Sequence, residues 1–329
     1  MPHEESIVEI DDLKMWFPVR TGFLQGLLSK EQRYVKAVDG VTFDIKKGEI
    51  FGLAGESGSG KTTTGRVILR LIEATGGKVR FKGKDVFTLG KREMKEFRRR
   101  AQIIYQDPYA SLDPRMSIFD FVAEPLIVHK IGNEKELVVD ALERAELTPP
   151  QEFFYRFPHE LSGGQRQRVA IARAMILNPE FIVADEPVSM LDVSIRSSIL
   201  DLMVRLRDEL DISYIYITHD LATARQVCDR IGILYLGKLV EEAPMDALVD
   251  NPLHPYTQAL IAAVPVPDPT VEKSKAIIKG EIPNPINLPP GCRFHPRCPY
   301  AEEICMKEEP KLIEAKKDHR AACHIVTRK

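Results

Sequence analysis

The nine residues from Gly55, GESGSGKTT, restrict what this chain can fold into more than any other stretch. They fit the spacing G-x-x-x-x-G-K-[ST], with Gly55, Gly60, Lys61 and Thr62 in the fixed places. Glycines at those points let backbone N–H groups turn inward around phosphate, and a helix opening directly afterwards aims its positive end at the same anion. Lys61 then reaches the β- and γ-phosphates, and the Thr62 hydroxyl suits Mg²⁺. Both flanks agree with this reading. EIFGLAG before the loop is a short apolar strand, and TTTGRVILRLIEA after it repeats Val67, Ile68, Leu71 and Ile72 at helical spacing.

The remaining pattern says what such a loop is embedded in. AVDGVTFDI alternates as a strand does, and EKELVVDALERAEL reads as a helix closed by Pro149 and Pro150. After residue 160 the order is helix (GQRQRVAIARAMIL), strand (EFIVAD), helix (SIRSSILDLMVRLRDEL), strand (ISYIYITH), helix (LATARQVCD) and strand (RIGILYL). That alternation predicts an α/β fold with a largely parallel sheet. Gly237 and Lys238 read as a hairpin turn into LVEEA. From Asn251 to Pro290 prolines cluster, which predicts an irregular, extended appendage. The chain therefore divides into a domain over 1–250 and an extension over 251–329.

No run of eighteen apolar residues occurs, and MPHEESIVEIDD lacks the basic and apolar regions of a secretory leader, so a cytoplasmic protein is expected. With 46 Lys and Arg against 48 Asp and Glu, net charge −2 gives no electrostatic reason to expect nucleic acid as a partner.

Two strand ends carry chemistry. EFIVADEP closes on Asp185 and Glu186, at the edge where open α/β sheets bind ligands; Asp185 suits Mg²⁺ and Glu186 can orient or deprotonate an attacking water. ISYIYITHD places His219 at a second such end. LSGGQRQRVAIARA is another glycine loop opening a helix, but it has neither the lysine nor the metal-binding hydroxyl of the first, so it supplies half of a site.

Taken together, GESGSGKT, LSGGQ, IVADE and ITHD stand in the order of the Walker A, signature, Walker B and switch motifs, and the chain resembles the ABC-transporter ATPases. YQDP, with Gln106, resembles their Q-loop, and SMLD their D-loop, with Met190 where alanine is commoner. The resemblance implies a P-loop NTPase cassette with a RecA-like core and a helical subdomain, plus a proline- and cysteine-rich C-terminal extension. It implies that two cassettes pair head to tail with ATP between them. Gly55, Glu56, Ser57, Gly58, Ser59, Gly60, Lys61, Thr62 and Thr63 would hold one nucleotide, while Ser162, Gly163, Gly164 and Gln165 would contact the nucleotide of the partner. Thr62, Gln106 and Asp185 would serve Mg²⁺. Glu186 would be the catalytic base, and His219 would contact the γ-phosphate and the water. Gln106 would couple the site to a membrane subunit. Tyr34 is the best placed aromatic for stacking on adenine, with Trp16, Phe17 and Phe23 also upstream.

The longer phrases YQDPYASLDPRMSI, YRFPHELSGGQRQRVAIARA, HPYTQALIAAVP and GEIPNPINLPPGCRFHPRCPYAEEIC resemble the oligopeptide/dipeptide importer ATPases, and PYASLDPRM resembles the second of their two ATPases. This implies a peripheral subunit on the cytoplasmic face of the cell membrane. Its partners would be a paralogous ATPase, two permeases and, indirectly, an extracytoplasmic solute-binding protein. Relatives of these importers carry oligosaccharide, nickel or other solutes, so the cargo stays open between these and peptide. A soluble ABC ATPase acting on DNA or ribosomes is disfavoured, because residues 62–161 hold no long heptad run and the chain has one cassette.

Cys292, Cys298, Cys305 and Cys323 follow the proline-rich segment, whereas Cys228 reads as a core thiol. In a reducing compartment such a cluster points to metal rather than disulfides. Four cysteines suit zinc, but the tight C-x₂₋₄-C knuckle is missing; a [4Fe–4S] cluster tolerates irregular spacing, and the Cys298–Pro299 step is common around such clusters. The spacing leaves both open. The resemblance to peptide-importer ATPases, some with a [4Fe–4S] cluster in this tail, favours the cluster as a clamp on a segment too poor in apolar residues to fold alone.

Overall fold

The computed structural model describes residues 5–19, 32–263 and 280–328. Phe23 and residues 264–279 of the proline-rich segment lie outside these residues. The described chain forms two compact units. One contains Ile45–Ile50 and Thr88–Ile217 with the residues before Val8; the other contains Val8–Asp44, Phe51–Phe87 and the chain from Thr218 onward.

In the first unit, Ala101–Ile104, Phe181–Asp185 and Ser213–Thr218 pair in parallel, with Phe181 opposite Ser213 and Asp185 opposite Ile217. FIVAD is buried at every position, as befits a parallel strand covered on both faces. Three helices, Ile118–His129, Glu134–Arg144 and Gly163–Met175, close over a core that includes Phe121, Leu126, Val138, Leu142 and Val169. The Ser117 side chain caps the first of these by accepting from the Asp120 N–H. The long helix Val193–Leu210 buries Ile199, Leu202, Met203 and Leu206, one face of a 3.6-residue period.

In the second unit, Ile50–Ala54 runs parallel to Arg230–Tyr235, with Phe51 opposite Arg230 and Ala54 opposite Ile233. Lys238–Pro244 returns antiparallel. The turn is Leu236–Gly237, both at positive φ (45° and 80°), and Lys238 already begins the strand. This two-residue geometry matches strand twist and explains Gly237. A separate antiparallel sheet has the order Tyr34–Lys46, Ser6–Pro18, Gly76–Phe81, Lys84–Asp85.

The tail is more regular than its prolines predict. Pro255–Ala263 is a helix, because proline at the first helical position has no N–H to lose and a φ already suited to the turn. Beyond it, Glu303–Lys307 is helical, and Ile313–Lys316 pairs with His319–Ala321, which in turn pairs antiparallel with Lys238–Pro244. The tail thus extends the sheet of the second unit. Cys228 sits just past the helix Leu221–Val227, as its C-terminal cap, and is buried.

Candidate nucleotide site and its supports

The loop between Ala54 and Lys61 is shaped by backbone that only glycine tolerates. Gly55, Gly58 and Gly60 have φ of 151°, 78° and 107°. A Cβ on Gly60 would lie 2.1 Å from the Ala37 carbonyl oxygen, and one on Gly55 would lie 2.2 Å from that of Leu234. Both contacts are with backbone, which cannot give way. Lys61 opens the helix Lys61–Ile68 and is buried; its Nζ donates to the carbonyls of Gly55 (2.8 Å) and Glu56 (3.0 Å). The ammonium is thereby folded over the loop it would serve. The Ser59 Oγ is buried with no hydrogen-bond partner, a polar atom facing into the loop and fit for a ligand. Thr62 and Thr63 follow in the first turn, both half-buried. These groups suit a phosphate chain: donors converge at a helix N-terminus, and a cation stands beside them.

The first unit carries the other expected residues. Asp185 ends its strand and is buried. Glu186, the next residue, has φ of 47°, and its N–H donates to Ile217 O (2.9 Å). This left-handed step turns the carboxylate away from the strand direction. Gln106 Nε2 donates to Glu186 Oε2 at 2.9 Å, so the structure brings Gln106 and Glu186 together. His219 is exposed at the end of its strand, directly before Asp220, which caps the helix Leu221–Val227.

The LSGGQ loop is built differently. Ser162 is the N-cap of Gly163–Met175: its Oγ accepts from the Gln165 N–H (3.3 Å), and Gln165 Oε1 accepts from the Ser162 N–H (3.0 Å). A Cβ on Gly164 would lie 2.8 Å from Ile195 Cγ2, and one on Gly163 3.5 Å from Leu191 Cδ2. Gly164 thus serves close packing against a side chain rather than an unusual backbone.

Tyr34 is 38% exposed and tilts against Trp16, with ring centroids 6.2 Å apart. Trp16 is held by its Nε1 donating to Asp39 (2.9 Å), with Lys36 Nζ 4.5 Å from its ring centroid.

Residues that sequence reasoning missed come from the tail. Arg297 is buried and grips Glu56 with both terminal nitrogens, at 2.8 and 3.0 Å. The Glu56 N–H donates to the Tyr256 hydroxyl (2.8 Å). Tyr235, Tyr256 and Phe294 pack ring against ring, with centroids 4.7–5.4 Å apart. Burial raises the Tyr256 and Tyr235 phenols above the usual range, and the bond to Glu56 raises the Arg297 guanidinium further. Nothing in the motif pattern marks Arg297, because its partner lies 241 residues away.

The cysteines do not form the expected centre. Among the described residues no group of three or more His, Cys, Asp or Glu side chains is disposed to hold a metal ion, and all five cysteines are free thiols. The four tail thiols are near enough to perturb one another electrostatically, and burial pushes Cys292 up to about 11. Buried charge ties the extension to the sheet. Glu241, fully buried, accepts from the N–H groups of Leu253 (2.8 Å) and His254 (2.9 Å) and lies 2.7 Å from His319 Nε2, which joins both ends of the extension to the sheet.

Comparison with known proteins agrees with this geometry. The ABC transporter family model matches residues 38–189, and the model of the oligopeptide/dipeptide transporter C-terminal region matches 240–305. The chain is 46% identical to the oligopeptide transport ATP-binding protein AppF of Bacillus subtilis, over 98% of both proteins. This chain belongs to the oligopeptide/dipeptide-type ABC transporter ATP-binding proteins. Among solved structures, the post-hydrolysis dimer of the ATP-binding cassette MJ0796 with ADP and Pi aligns at TM-score 0.62 and 31% identity, covering 72% of this chain and 98% of that one. The cassette cbiO1 of Clostridium perfringens, at TM-score 0.64 and 24% identity over 75% of this chain, shares the fold. The chain is thus an ABC ATPase. Among the described residues, no helix of this ATPase is long and apolar enough to cross a membrane.

Proposed function

We propose that this ATPase binds Mg²⁺-ATP on residues 55–63 and powers import of peptides through a binding-protein-dependent transporter. The observation that carries the reading is the contrast between its two glycine loops. One is a glycine-built cradle with a buried lysine folded over it; the other is a capped helix start with no lysine. A chain with one full and one half site needs a second cassette to complete it. In this reading Ser162, Gly163, Gly164 and Gln165 serve the partner's nucleotide. Met190 and Val193, 61% and 79% exposed beside the LSGGQ helix's neighbour, offer apolar surface for that pairing. The partner is a paralogous ATPase, and this chain is the second of the pair, as the PYASLDPRM wording suggests.

Lys61 holds the β- and γ-phosphates, and Thr62, Gln106 and Asp185 would serve Mg²⁺, which neutralises phosphate charge when bound. Glu186 accepts the proton of the attacking water, with Gln106 orienting its carboxylate, and His219 steadies the γ-phosphate. Tyr34 stacks on adenine. Residues 1–250 act as the nucleotide-binding domain and 251–329 as the transporter-type extension. Two permeases and a solute-binding protein complete the system, with the ATPase on the cytoplasmic face. Peptide as cargo is supported by AppF, which its name describes as an oligopeptide transport protein.

Glu186→Gln tests the reading in the assembled transporter. ATP binding should persist while turnover falls about 10²–10⁴-fold; turnover at the wild-type rate would refute it. Iron and zinc analysis of anaerobically purified protein tests the tail: stoichiometric iron with brown colour would restore the [4Fe–4S] expectation, and stoichiometric zinc its alternative.

A further inference from the structure

The tail supports the phosphate loop through two arginines four residues apart, Arg297 directly and Arg293 by way of the neighbouring turn. Arg297 holds Glu56, the second residue of the loop, in a two-point pair, and its Nη1 also donates to the Tyr235 hydroxyl at 3.4 Å. Arg293 donates to the Leu236 carbonyl and to the Asp39 carboxylate. Leu236 and Gly237 form the hairpin turn, and the Gly237 N–H donates to Ser59 O (2.8 Å) while its carbonyl accepts from the Asp39 N–H (2.9 Å). One arginine therefore fixes the entry of the loop directly, and the other fixes the turn that holds its far side. Both guanidinium groups are buried, 7% exposed as residues. The Arg297 Nε is buried without a partner, so the side chain leaves a hydrogen bond unmade to keep its grip on Glu56.

We propose that Arg297, supported by Arg293, is a positioning residue for the nucleotide: the tail sets the shape of the phosphate loop and with it the affinity for ATP. A planar guanidinium matched to a carboxylate at two points fixes orientation as well as distance, which lysine cannot do. A loop already held in its bound shape loses less freedom on binding. This inference rests on the proposed reading that residues 55–63 bind ATP.

The experiment is ATP titration of the full chain, using a fluorescent ATP analogue and ATP displacement, after each variant is shown to be folded by circular dichroism. Arg297→Gln and Glu56→Gln should each raise the dissociation constant roughly tenfold. Because both remove the same link, the double variant should bind no worse than either single one. Arg297→Lys, which keeps charge and loses the fork, should fall between wild type and Arg297→Gln. A purely structural arginine would lower the unfolding midpoint and leave the affinity of the folded protein unchanged. Affinities within twofold of wild type, or a double variant whose loss is the product of the two single losses, would overturn the proposal. Should Arg297→Gln not fold, Arg297→Lys decides in the same way. Wild-type protein without measurable ATP affinity would overturn the nucleotide reading and this inference with it, whereas binding by wild type with unchanged variants overturns this inference alone.

Discussion

The loops GESGSGKTT and LSGGQ both carry glycines into a helix N-terminus, but the glycines do different work. In the first, three of them occupy left-handed or otherwise forbidden backbone, and added carbon atoms at Gly55 and Gly60 would strike main-chain oxygens. In the second, Gly163 and Gly164 are ordinary helical residues, and the missing side chain of Gly164 admits Ile195. The first loop follows a backbone course that only glycine takes without cost and surrounds itself with donors. The second satisfies its own helix start through Ser162 and Gln165. The same composition thus yields a cradle in one case and a flat, closely packed face in the other.

The most direct way to break this comparison is alanine at both kinds of glycine. Gly60→Ala combines positive φ with a backbone clash at 2.1 Å. It should destabilise the protein by about 3 kcal/mol or more and abolish ATP binding, as read by chemical denaturation and nucleotide titration. A variant that binds ATP normally would show that the glycine-built cradle is not needed.

Acid should separate the two loops next. Burial holds the His254 imidazole down at about 4, with the Glu241 carboxylate opposing. His254 Nδ1 accepts from the Tyr256 N–H (3.0 Å), and Tyr256 in turn holds the first loop. A histidine depressed from 6.5 in the unfolded chain binds fewer protons when folded. Its contribution is complete above pH 6.5 and is lost as pH falls toward 4, by about 3 kcal/mol at the limit. Amide exchange at residues 55–60 should therefore accelerate between pH 6.5 and 4, after correction for intrinsic rates, more than at residues 162–165. His254→Asn, which keeps an acceptor but cannot charge, should flatten that difference.

How far the sequence alone reveals this molecule depends on the separation of the interacting residues. The α/β alternation, the strand ends at Asp185 and His219 and the hairpin at Gly237 are legible because each is encoded within about ten residues. The short strand Ala101–Ile104 and the strand Ser6–Pro18 carry too little period or too much charge to declare themselves. The helix Pro255–Ala263 is hidden by the proline that starts it. The Arg297–Glu56 and Arg293–Asp39 pairs join residues more than 240 positions apart, and only packing brings them together. The tail cysteines are legible as a cluster, since Cys292 feels Cys298, Cys305 and Cys323, but their spacing does not select a metal.

Gly164→Ala sharpens the comparison on the second loop. Its Cβ would meet a methyl group of Ile195 at 2.8 Å rather than backbone. Side-chain adjustment limits the cost to about 1–2 kcal/mol, a fall of a few degrees in the unfolding midpoint. Ile195→Ala should recover most of that loss in the double variant, and ATP affinity of the isolated chain should stay unchanged. A loss that Ile195→Ala does not relieve would mean the glycine is needed for its backbone after all.

Ser162→Ala gives the smallest effect and the finest distinction. It removes the acceptor of the Gln165 N–H and leaves the helix start open. Loss of such a cap costs about 1 kcal/mol, which is measurable as a small midpoint shift in the chain alone. In the assembled transporter the same hydroxyl would face the partner's nucleotide, so turnover should drop by more than the stability loss explains. Equal effects in the isolated chain and in the complex would reduce the serine to a helix cap, and the second loop would then be a packing element rather than half of a site.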